Sequence, residues 1–356
     1  MHEILQMEMR YKHAAKFRHT LSCTAFEFPD TLSAEQATAD EIAEIHTRLV
    51  ADDDTVLDMT CGLGIDAFHM ARRAASVTAC ELKPALAVAA RSNAAALGLV
   101  NVTVIEGDST AWLAASDTIF DIIFIDPARR DASGGRVYAL SDCQPDITSL
   151  LPLLRSRCRR LVVKASPMLD VSRTVADLGG DADIMLTGTP SECKELLAIM
   201  PGSNRITAVT VGAPEFSFTA AEERAATPLY APPVPGQTLH EPYPTVMKSG
   251  ALKLLACRFG LAKAAPDTHL YCGVPAEGFP GHTYAIEAVW PFDKRGIRSV
   301  VALTGGRAEV AVRNFGLTAE ALRKRLRLDS DGGPWRVYGL RDAVGRRLIA
   351  VCRRNA

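Results

Sequence analysis

The chain has 356 residues, of which 48% are hydrophobic and 23% are charged, and its formal net charge is −1. These values are ordinary for globular domains, and the length predicts two or three of them. The near-neutral charge excludes a protein-wide basic field, so any nucleic-acid site must be a local patch.

The cysteines and the apolar runs indicate the compartment. The nine cysteines include no C-x-x-C pair, so we expect no zinc site and no other metal. Scattered thiols are typical of a reducing compartment. The first 18 residues lack the apolar core of a signal peptide, and no 18-residue apolar run is present. The sequence therefore predicts a cytoplasmic protein that does not enter a membrane.

Changes in pattern along the chain divide it into five predicted segments. Residues 1–50 have helical patterns, and residues 51–220 alternate apolar runs with helical patterns. A proline-rich stretch at 221–244 indicates a stiff linker. Two small pieces with mixed helix and strand patterns follow at 245–283 and 284–356.

Several helix and strand signals outside the central segment are specific enough to test. Ser33 and Gln36 have capping-box spacing and predict a helix that continues towards Val50. Residues 245–260 are predicted as one basic helix and residues 299–303 as a strand. Thr318 is predicted to be the N-cap of a helix that ends at residue 326.

Six apolar runs in the central segment predict strands, with helical patterns between them. They lie at 55–58, 76–81, 102–106, 121–126, 160–164 and 183–187. This alternation predicts a doubly wound, Rossmann-like α/β sheet. In such a sheet the ligand lies at the carboxyl ends of the strands.

The first predicted strand ends in a glycine turn that is typical of nucleotide-binding sites. Asp58 ends the strand, and Gly62 and Gly64 follow before a helical pattern. Glycine permits a tight turn and a close approach to a ligand, and the helix N-terminus offers free N–H groups. An ordinary strand–turn–helix unit has a similar pattern. Gly62-x-Gly64-x-x-Ala67 also fits a dinucleotide-binding turn.

Polar residues also end the later strands. Glu81, 19 residues after Gly62, can accept hydrogen bonds from two ribose hydroxyls. Asp108 follows the third strand and can accept from an adenine amino group, with help from Ser109. Each acid can instead be an ordinary surface or turn residue.

The fourth strand ends in an acid and a proline, followed by two arginines. Pro127 ends the strand abruptly and leaves the carboxylate of Asp126 at the crevice. Arg129 and Arg130 are suited to a phosphate or a carboxylate. Lys164, at the end of the fifth strand, can contact a substrate or be a surface lysine with its ammonium in water.

Together these motifs resemble the class I S-adenosylmethionine-dependent methyltransferases over residues 51–200. The resemblance implies S-adenosylmethionine as cofactor, with Asp58 and the glycine turn around its amino-acid part. It also implies that Glu81 holds the ribose, that Asp108 holds the adenine edge and that Asp126 faces the methyl group. The residues implied to bind the cofactor are Asp58, Thr60, Gly62, Gly64, Glu81, Asp108, Ser109 and Asp126.

The fourth-strand motif narrows the chemistry. Amino-methyltransferases have Pro-Pro and an aromatic residue after the acid, whereas Ala128 and Arg129 stand in the last two places here, which argues against base N-methylation. Asp-Pro-Ala-Arg resembles the RNA uracil-C5 methyltransferases, but residues 163–167 lack the Cys that those enzymes place after the fifth strand. We therefore expect direct methyl transfer without covalent Cys chemistry. The predicted catalytic residues are Asp126, Pro127, Arg129 and Lys164.

The C-terminal spellings at 246–255, 267–271 and 312–317 resemble bacterial methyltransferases that carry a small ferredoxin-like piece and a THUMP-like domain. The resemblance assigns these names to 245–283 and 284–356. THUMP domains bind RNA, so it implies a structured RNA substrate, a tRNA or an rRNA. The predicted RNA-binding residues are Arg129, Arg130, Arg323, Lys324 and Arg325.

The sequence is compatible with two other functions. A non-catalytic RNA-binding or assembly factor can keep the cofactor pocket as a relic, and the altered motif at 126–130 is compatible with it. A small-molecule methyltransferase can use its C-terminal module only as a lid.

Overall fold

The structure is a computed structural model that describes residues 2–129, 140–329 and 333–354. It contains two compact units, Met1–Gly188 with Cys193–Ile206, and Thr189–Glu192 with Thr207–Ala356. Within the described ranges, no helix has the length and apolar character needed to cross a membrane. The five segments predicted from the sequence remain a proposal.

The first unit alternates helices and strands. Its helices are α1 (His2–His13), α2 (Thr31–Gln36), α3 (Asp40–His46), α4 (Ile65–Met70), α5 (Pro84–Ala96), α6 (Ser109–Ala115), α7 (Ile147–Ser156) and α8 (Val171–Asp177). Its strands are β1 (Thr55–Asp58), β2 (Ser76–Glu81), β3 (Val102–Glu106), β4 (Phe120–Ile125), β5 (Ala128–Arg129), β6 (Cys143–Gln144), β7 (Cys158–Ala165), β8 (Asp183–Gly188) and β9 (Cys193–Met200).

The main sheet of this unit has the order β8-β9-β7-β4-β1-β2-β3. The pairs from β7 to β3 are parallel, and β9 runs antiparallel between β7 and β8. β1 has β2 on one side and β4 on the other, so the winding reverses between β1 and β4. Ligands bind outside the carboxyl ends of strands at such a reversal. The predicted Rossmann-like α/β fold is confirmed.

The strands are apolar because both faces of the sheet are covered. Val56 and Leu57 of β1 and Ile122 and Ile123 of β4 are each at most 1% exposed. Successive strand residues point to opposite faces, so Val56 and Ile122 join one core and Leu57 and Ile123 join the other. Each such burial contributes roughly 1.5–3 kcal/mol, which keeps the strand ends in place.

The prediction of a helix that begins at the Ser33–Gln36 box was wrong. Asp30 is the N-cap, because its carboxylate accepts the Ser33 N–H at 2.7 Å, and α2 ends at Gln36. The next helix, α3, begins at Asp40. Strand β9 was not predicted, because Lys194 and the buried Glu195 interrupt its apolar pattern.

The second unit is an α+β module. Its helices are α9 (Ala220–Ala225), α10 (Pro244–Ser249), α11 (Leu254–Arg258), α12 (Lys294–Thr304) and α13 (Ala319–Leu326). The remaining strands are β10 (Arg205–Thr210), which starts at the unit boundary, β11 (Phe216–Thr219), β12 (Thr238–Pro242), β13 (Ala262–Ala265), β14 (Thr268–Gly273), β15 (Gly281–Pro291), β16 (Glu309–Arg313), β17 (Trp335–Arg341) and β18 (Arg347–Arg354). Strands β12 to β18 form one sheet in the order β13-β14-β12-β15-β18-β17-β16.

Two sequence expectations in this unit were wrong and one was confirmed. Residues 299–303 lie in α12 and not in a strand, because Asp293 caps this helix through the Gly296 N–H at 2.7 Å. The predicted helix over 245–260 is interrupted at Gly250, whose φ of +83° ends α10. Thr318 caps α13 as predicted. Residues 238–242, inside the predicted linker, form the buried strand β12.

Candidate active site

The glycine turn after β1 leaves open space at the reversal point of the sheet. Gly62 and Gly64 have φ values of +56° and +94°, in the left-handed region that favours glycine. A Cβ on Gly64 would lie 2.2 Å from the Phe68 ring, so this glycine permits the close packing of α4. A Cβ on Gly62 would meet only the Thr60 carbonyl oxygen, at 4.0 Å. A ligand can therefore approach the backbone at Gly62.

Glu81 supports this turn from the end of β2. Its Oε2 accepts the Gly62 N–H at 2.8 Å, and its Oε1 accepts the Lys83 N–H at 2.8 Å. Each carboxylate oxygen has a second lone pair. Glu81 can therefore hold the turn and still accept hydrogen bonds from two hydroxyl groups of a ribose.

Asp58 and Thr60 connect the ends of β1 and β4. Asp58 is 1% exposed and its Oδ1 accepts the Thr60 N–H at 2.9 Å. Burial raises the pKa of Asp58 to about 7, and the Thr60 N–H opposes this shift. The Thr60 hydroxyl oxygen accepts the Asp126 N–H at 2.7 Å. The two strand ends that flank the crevice are thus held together by one short loop.

Asp108 and Ser109 lie at the start of α6, after β3. The exposed Asp108 is the helix N-cap and accepts the Thr110 N–H at 2.8 Å and the Ala111 N–H at 3.3 Å. Ser109 is the first residue of the helix. Because a carboxylate has about four acceptor positions, Asp108 can also accept from an amino group.

The end of β4 presents Asp126, whose side chain is 41% exposed, followed by the buried Pro127. Asp126 Oδ2 lies 2.8 Å from the Lys164 ammonium. The backbone of Arg129 belongs to β5 and pairs with Cys143. Arg130, predicted to bind substrate, lies outside the described residues.

Lys164 is only 9% exposed, so it is not the surface lysine that the sequence left as an alternative. Its Nζ donates to the Thr38 hydroxyl at 2.6 Å and lies 3.2 Å from Asp66 Oδ2 and 3.7 Å from Glu195 Oε2. Burial by itself lowers the pKa of Lys164, but the surrounding carboxylates raise it well above its ordinary value. The lysine is therefore a fixed cation beside Asp126.

The residues around Lys164 were not predicted from the sequence. They are Thr38, His46, Asp66 and Glu195. His46 Nδ1 lies 2.8 Å from Asp66 Oδ1, and its Nε2 is hydrogen-bonded to Glu195 Oε1. One signal in the sequence could have indicated this cluster. A glutamate that is followed by the apolar run of β9 is expected to be buried and therefore needs a buried partner. In the described part of the chain, no group of His, Cys, Asp and Glu side chains has the arrangement of a metal site.

Three family models match the chain. The "Methyltransferase domain" model matches residues 56–129, the "ferredoxin-like domain" model matches 239–280, and the "THUMP domain-like" model matches 281–354. The first match includes Asp58, the glycine turn, Glu81 and Asp126.

Similar proteins are named as methyltransferases. An S-adenosylmethionine-dependent methyltransferase of Mycobacterium tuberculosis strain H37Rv is 28% identical over 307 residues, which cover 83% of this chain and 79% of the relative. A structure named as a "putative methyltransferase" from Porphyromonas gingivalis W83 matches with a TM-score of 0.88 and 29% identity, over 99% of this chain and 90% of that chain. A 23S rRNA (uracil(1939)-C(5))-methyltransferase of Salmonella choleraesuis is 43% identical over 89 residues, 24% of this chain and 20% of the relative.

The sheet reversal, the open glycine turn and these matches define an S-adenosylmethionine-dependent methyltransferase. In this chain, ferredoxin-like and THUMP-like domains follow the catalytic domain. The space at Gly62 and the acceptor oxygens of Glu81 fit S-adenosylmethionine, which is its cofactor. The dinucleotide-binding alternative for the glycine turn is therefore rejected.

Proposed function

We propose that this methyltransferase transfers a methyl group directly to a structured RNA, a tRNA or an rRNA. The observation that carries the RNA assignment is the THUMP domain-like match over residues 281–354. The partial match to a 23S rRNA methyltransferase supports it, because that relative acts on RNA. The proposal is tested by measuring the transfer of label from S-adenosylmethionine to RNA by the full-length protein.

In this proposal the cofactor is held along the carboxyl ends of β1, β2 and β3. Asp58 and the turn with Thr60, Gly62 and Gly64 surround its amino-acid part. Glu81 accepts the ribose hydroxyls, and Asp108 with Ser109 accepts the adenine amino group. When bound, S-adenosylmethionine supplies an electrophilic methyl group, so the protein contributes mainly proximity and alignment.

Asp126 and Lys164 act on the acceptor. The carboxylate of Asp126 orients the acceptor atom and takes its proton, because it is the partly exposed acid beside the turn. Lys164 holds this carboxylate in place from the protein side, at 2.8 Å. Pro127 and Arg129 follow Asp126 in the chain, and in this proposal Arg129 and Arg130 bind an RNA phosphate.

The properties of two thiols near the crevice favour direct methyl transfer over covalent Cys chemistry. Cys61 is in the glycine turn and Cys80 in β2, and both are buried. Burial raises the pKa of Cys61 well above its ordinary value and that of Cys80 to about 12. Because the thiolate is the nucleophilic form, neither cysteine is suited to attack a base.

The predicted basic helix of the second unit contains two kinds of cation. Arg323 and Lys324 both pair with Glu320, at 3.1 and 3.2 Å. Arg325 lies over the Phe292 ring at 6.0 Å. Arg347, the first residue of β18, lies over the same ring at 5.0 Å. Within the described ranges, neither of these two arginines has a carboxylate partner.

Together, Arg325, Arg347 and Phe292 form a surface that we name the Phe292 platform. Its two arginines are exposed and are not neutralised by an acid in the described residues. A guanidinium over an aromatic ring can still donate to phosphate and stack on a base. We therefore place the stronger RNA contact of this unit on the platform, and the weaker one on Arg323 and Lys324.

Replacing both platform arginines should weaken RNA binding more than replacing the paired cations. For Arg325→Ala with Arg347→Ala we expect roughly tenfold weaker binding per arginine and a salt slope smaller by about 1 for each phosphate that is no longer bound. Arg323→Ala with Lys324→Ala is the matched control, because the same charge is removed and Glu320 is set free. Filter binding of bulk tRNA and rRNA at several salt concentrations measures both. Equal losses in the two variants would contradict this assignment.

Labelling also separates the alternatives. The protein is incubated with labelled S-adenosylmethionine and either total RNA or a metabolite extract from cells that lack the gene. Label in RNA supports the proposal. RNA binding without any transfer indicates a relic-pocket factor, and label in a small molecule indicates a small-molecule methyltransferase.

A further inference from the structure

His46 occupies the centre of a buried charge cluster in the first unit. It is the last residue of α3 and is 0% exposed. Its two ring nitrogens contact carboxylates from two other elements, Asp66 of α4 and Glu195 of β9. A neutral imidazole has one N–H, whereas an imidazolium donates from both nitrogens. Only the imidazolium can satisfy both carboxylates.

The same two carboxylates also face Lys164. Asp66 Oδ2 lies 3.2 Å and Glu195 Oε2 lies 3.7 Å from its ammonium, and Asp126 lies 2.8 Å from it. The other oxygen of Asp66 and that of Glu195 are bound to His46. Three carboxylates and two cations leave one net negative charge. Without the His46 charge, the cluster would have a net charge of −2, with Lys164 as its remaining cation.

We propose that His46 is a positioning residue for methyl transfer: its imidazolium neutralises Asp66 and Glu195 and thereby leaves Lys164 to hold Asp126. This inference rests on the proposed role of Asp126 and Lys164 at the acceptor. When His46 is uncharged, Asp66 and Glu195 attract Lys164 more strongly and withdraw it from Asp126.

The N-terminal helices therefore contribute to the catalytic centre. Thr38, between α2 and α3, donates to Asp66 Oδ2 at 2.6 Å and accepts from Lys164 at 2.6 Å. His46 follows on α3. Both residues reach the carboxyl edge of the sheet from a segment that was predicted only as a helical extension, so this segment helps to set the orientation of Lys164.

The protonation state of His46 follows from the groups that face it. These are Asp66 from α4, Glu195 from β9 and, behind them, Lys164 from β7 and Asp126 after β4, with the Phe124 ring at 5.5 Å. Burial alone lowers the pKa of His46, but Glu195 and Asp66 raise it to about 10. The imidazolium therefore persists across the neutral pH range and is lost only as the pH rises through the alkaline range.

Nitrogen-15 NMR of histidine-labelled full-length protein tests the charge without any substrate. His46→Gln identifies the His46 signals by their loss. We expect both ring nitrogens of His46 to remain protonated at pH values where an ordinary histidine, with a pKa of about 6.5, is neutral. A neutral His46 ring at those pH values would overturn the inference.

The kinetic test uses compensating substitutions. His46→Gln should lower kcat by roughly 10- to 100-fold with S-adenosylmethionine affinity kept, because the lysine and not the cofactor loses its position. Adding Glu195→Gln removes one carboxylate and returns the cluster to one net negative charge. The amide oxygen of the introduced glutamine can still accept from Thr187, whose hydroxyl donates to Glu195 Oε1 at 2.8 Å. The double variant should regain at least about tenfold in kcat, a non-additive result that a loss of packing alone would not produce.

The two failures are distinguishable. If wild-type protein does not methylate RNA while His46 is doubly protonated, the RNA assignment fails and the cluster description holds. If wild-type protein methylates RNA and His46→Gln keeps the wild-type kcat, or the double variant is no better than the single one, the positioning role fails.

Discussion

Gly62→Arg should abolish S-adenosylmethionine binding, with a loss of affinity of more than about 100-fold. Gly62 has a φ of +56°, and the direction of its missing side chain leads into open space beside the β1 turn. An arginine side chain would occupy the volume that the cofactor needs. It would also disturb the N–H that Glu81 accepts at 2.8 Å. Isothermal titration calorimetry measures the effect directly.

Gly98→Arg is the matched control. Gly98 has a similar φ of +70°, and a Cβ there would meet nothing within 4 Å. It follows α5 and precedes β3, so it lies at the amino ends of the strands, away from the crevice. Both variants carry the same strain of about 1–2 kcal/mol for a side chain in the left-handed region. Normal binding by Gly62→Arg, or equal losses in both variants, would contradict the proposed cofactor site.

Lys164→Met should destabilise the first unit by about 3–5 kcal/mol at neutral pH, because it leaves the three carboxylates of the cluster with the His46 imidazolium as their remaining cation. Burial acts to raise the pKa values of Asp66 and Glu195, but Lys164 and His46 hold both below their ordinary range. Carboxylates with lowered pKa values stabilise the folded state above their unfolded pKa, and this contribution is lost as the pH falls. The difference between wild type and Lys164→Met should therefore be largest at neutral pH and decrease as the pH falls below about 4.

Lys263→Met provides the comparison for this experiment. Lys263 is 2% exposed in β13, but its ammonium donates to the Pro266 carbonyl at 2.5 Å and has no carboxylate partner in the described residues. Burial lowers its pKa, so its removal should be neutral or stabilising. Urea unfolding, monitored by hydrogen exchange of peptides from β7 and β13, measures the effect of both substitutions. A small effect at Lys164, or a similar effect at Lys263, would contradict the account of the charge cluster.

The features of the fold and of the candidate site that the sequence predicts correctly are those that the local pattern of apolar and polar residues determines. β1, β2 and β3 have the predicted bounds, because each is a short apolar run with a polar residue at its end. The placement of Asp58, Glu81 and Asp126 at one edge follows from parallel strands, whose carboxyl ends meet at the same side of a sheet. Their binding roles remain a proposal.

The parts that were not predicted depend on contacts between distant residues. His46 and Glu195 are 149 positions apart, and neither has a local motif. The buried state of Lys164 depends on Thr38, 126 positions away. In the second unit, the apolar residues of α12 form a run that is as short as a strand, so the sequence pattern does not distinguish the two. The N-cap at Asp293 favours the helix.

We expect the Asp126 edge to deliver a methyl group to RNA. This is tested by mass spectrometry of nucleosides from tRNA and rRNA, compared between cells with and without the gene. One methylated nucleoside should be absent without the gene, return with the wild-type gene and fail to return with Asp126→Asn. Identical nucleoside profiles in all three strains, together with methyl transfer to a small metabolite, would contradict it.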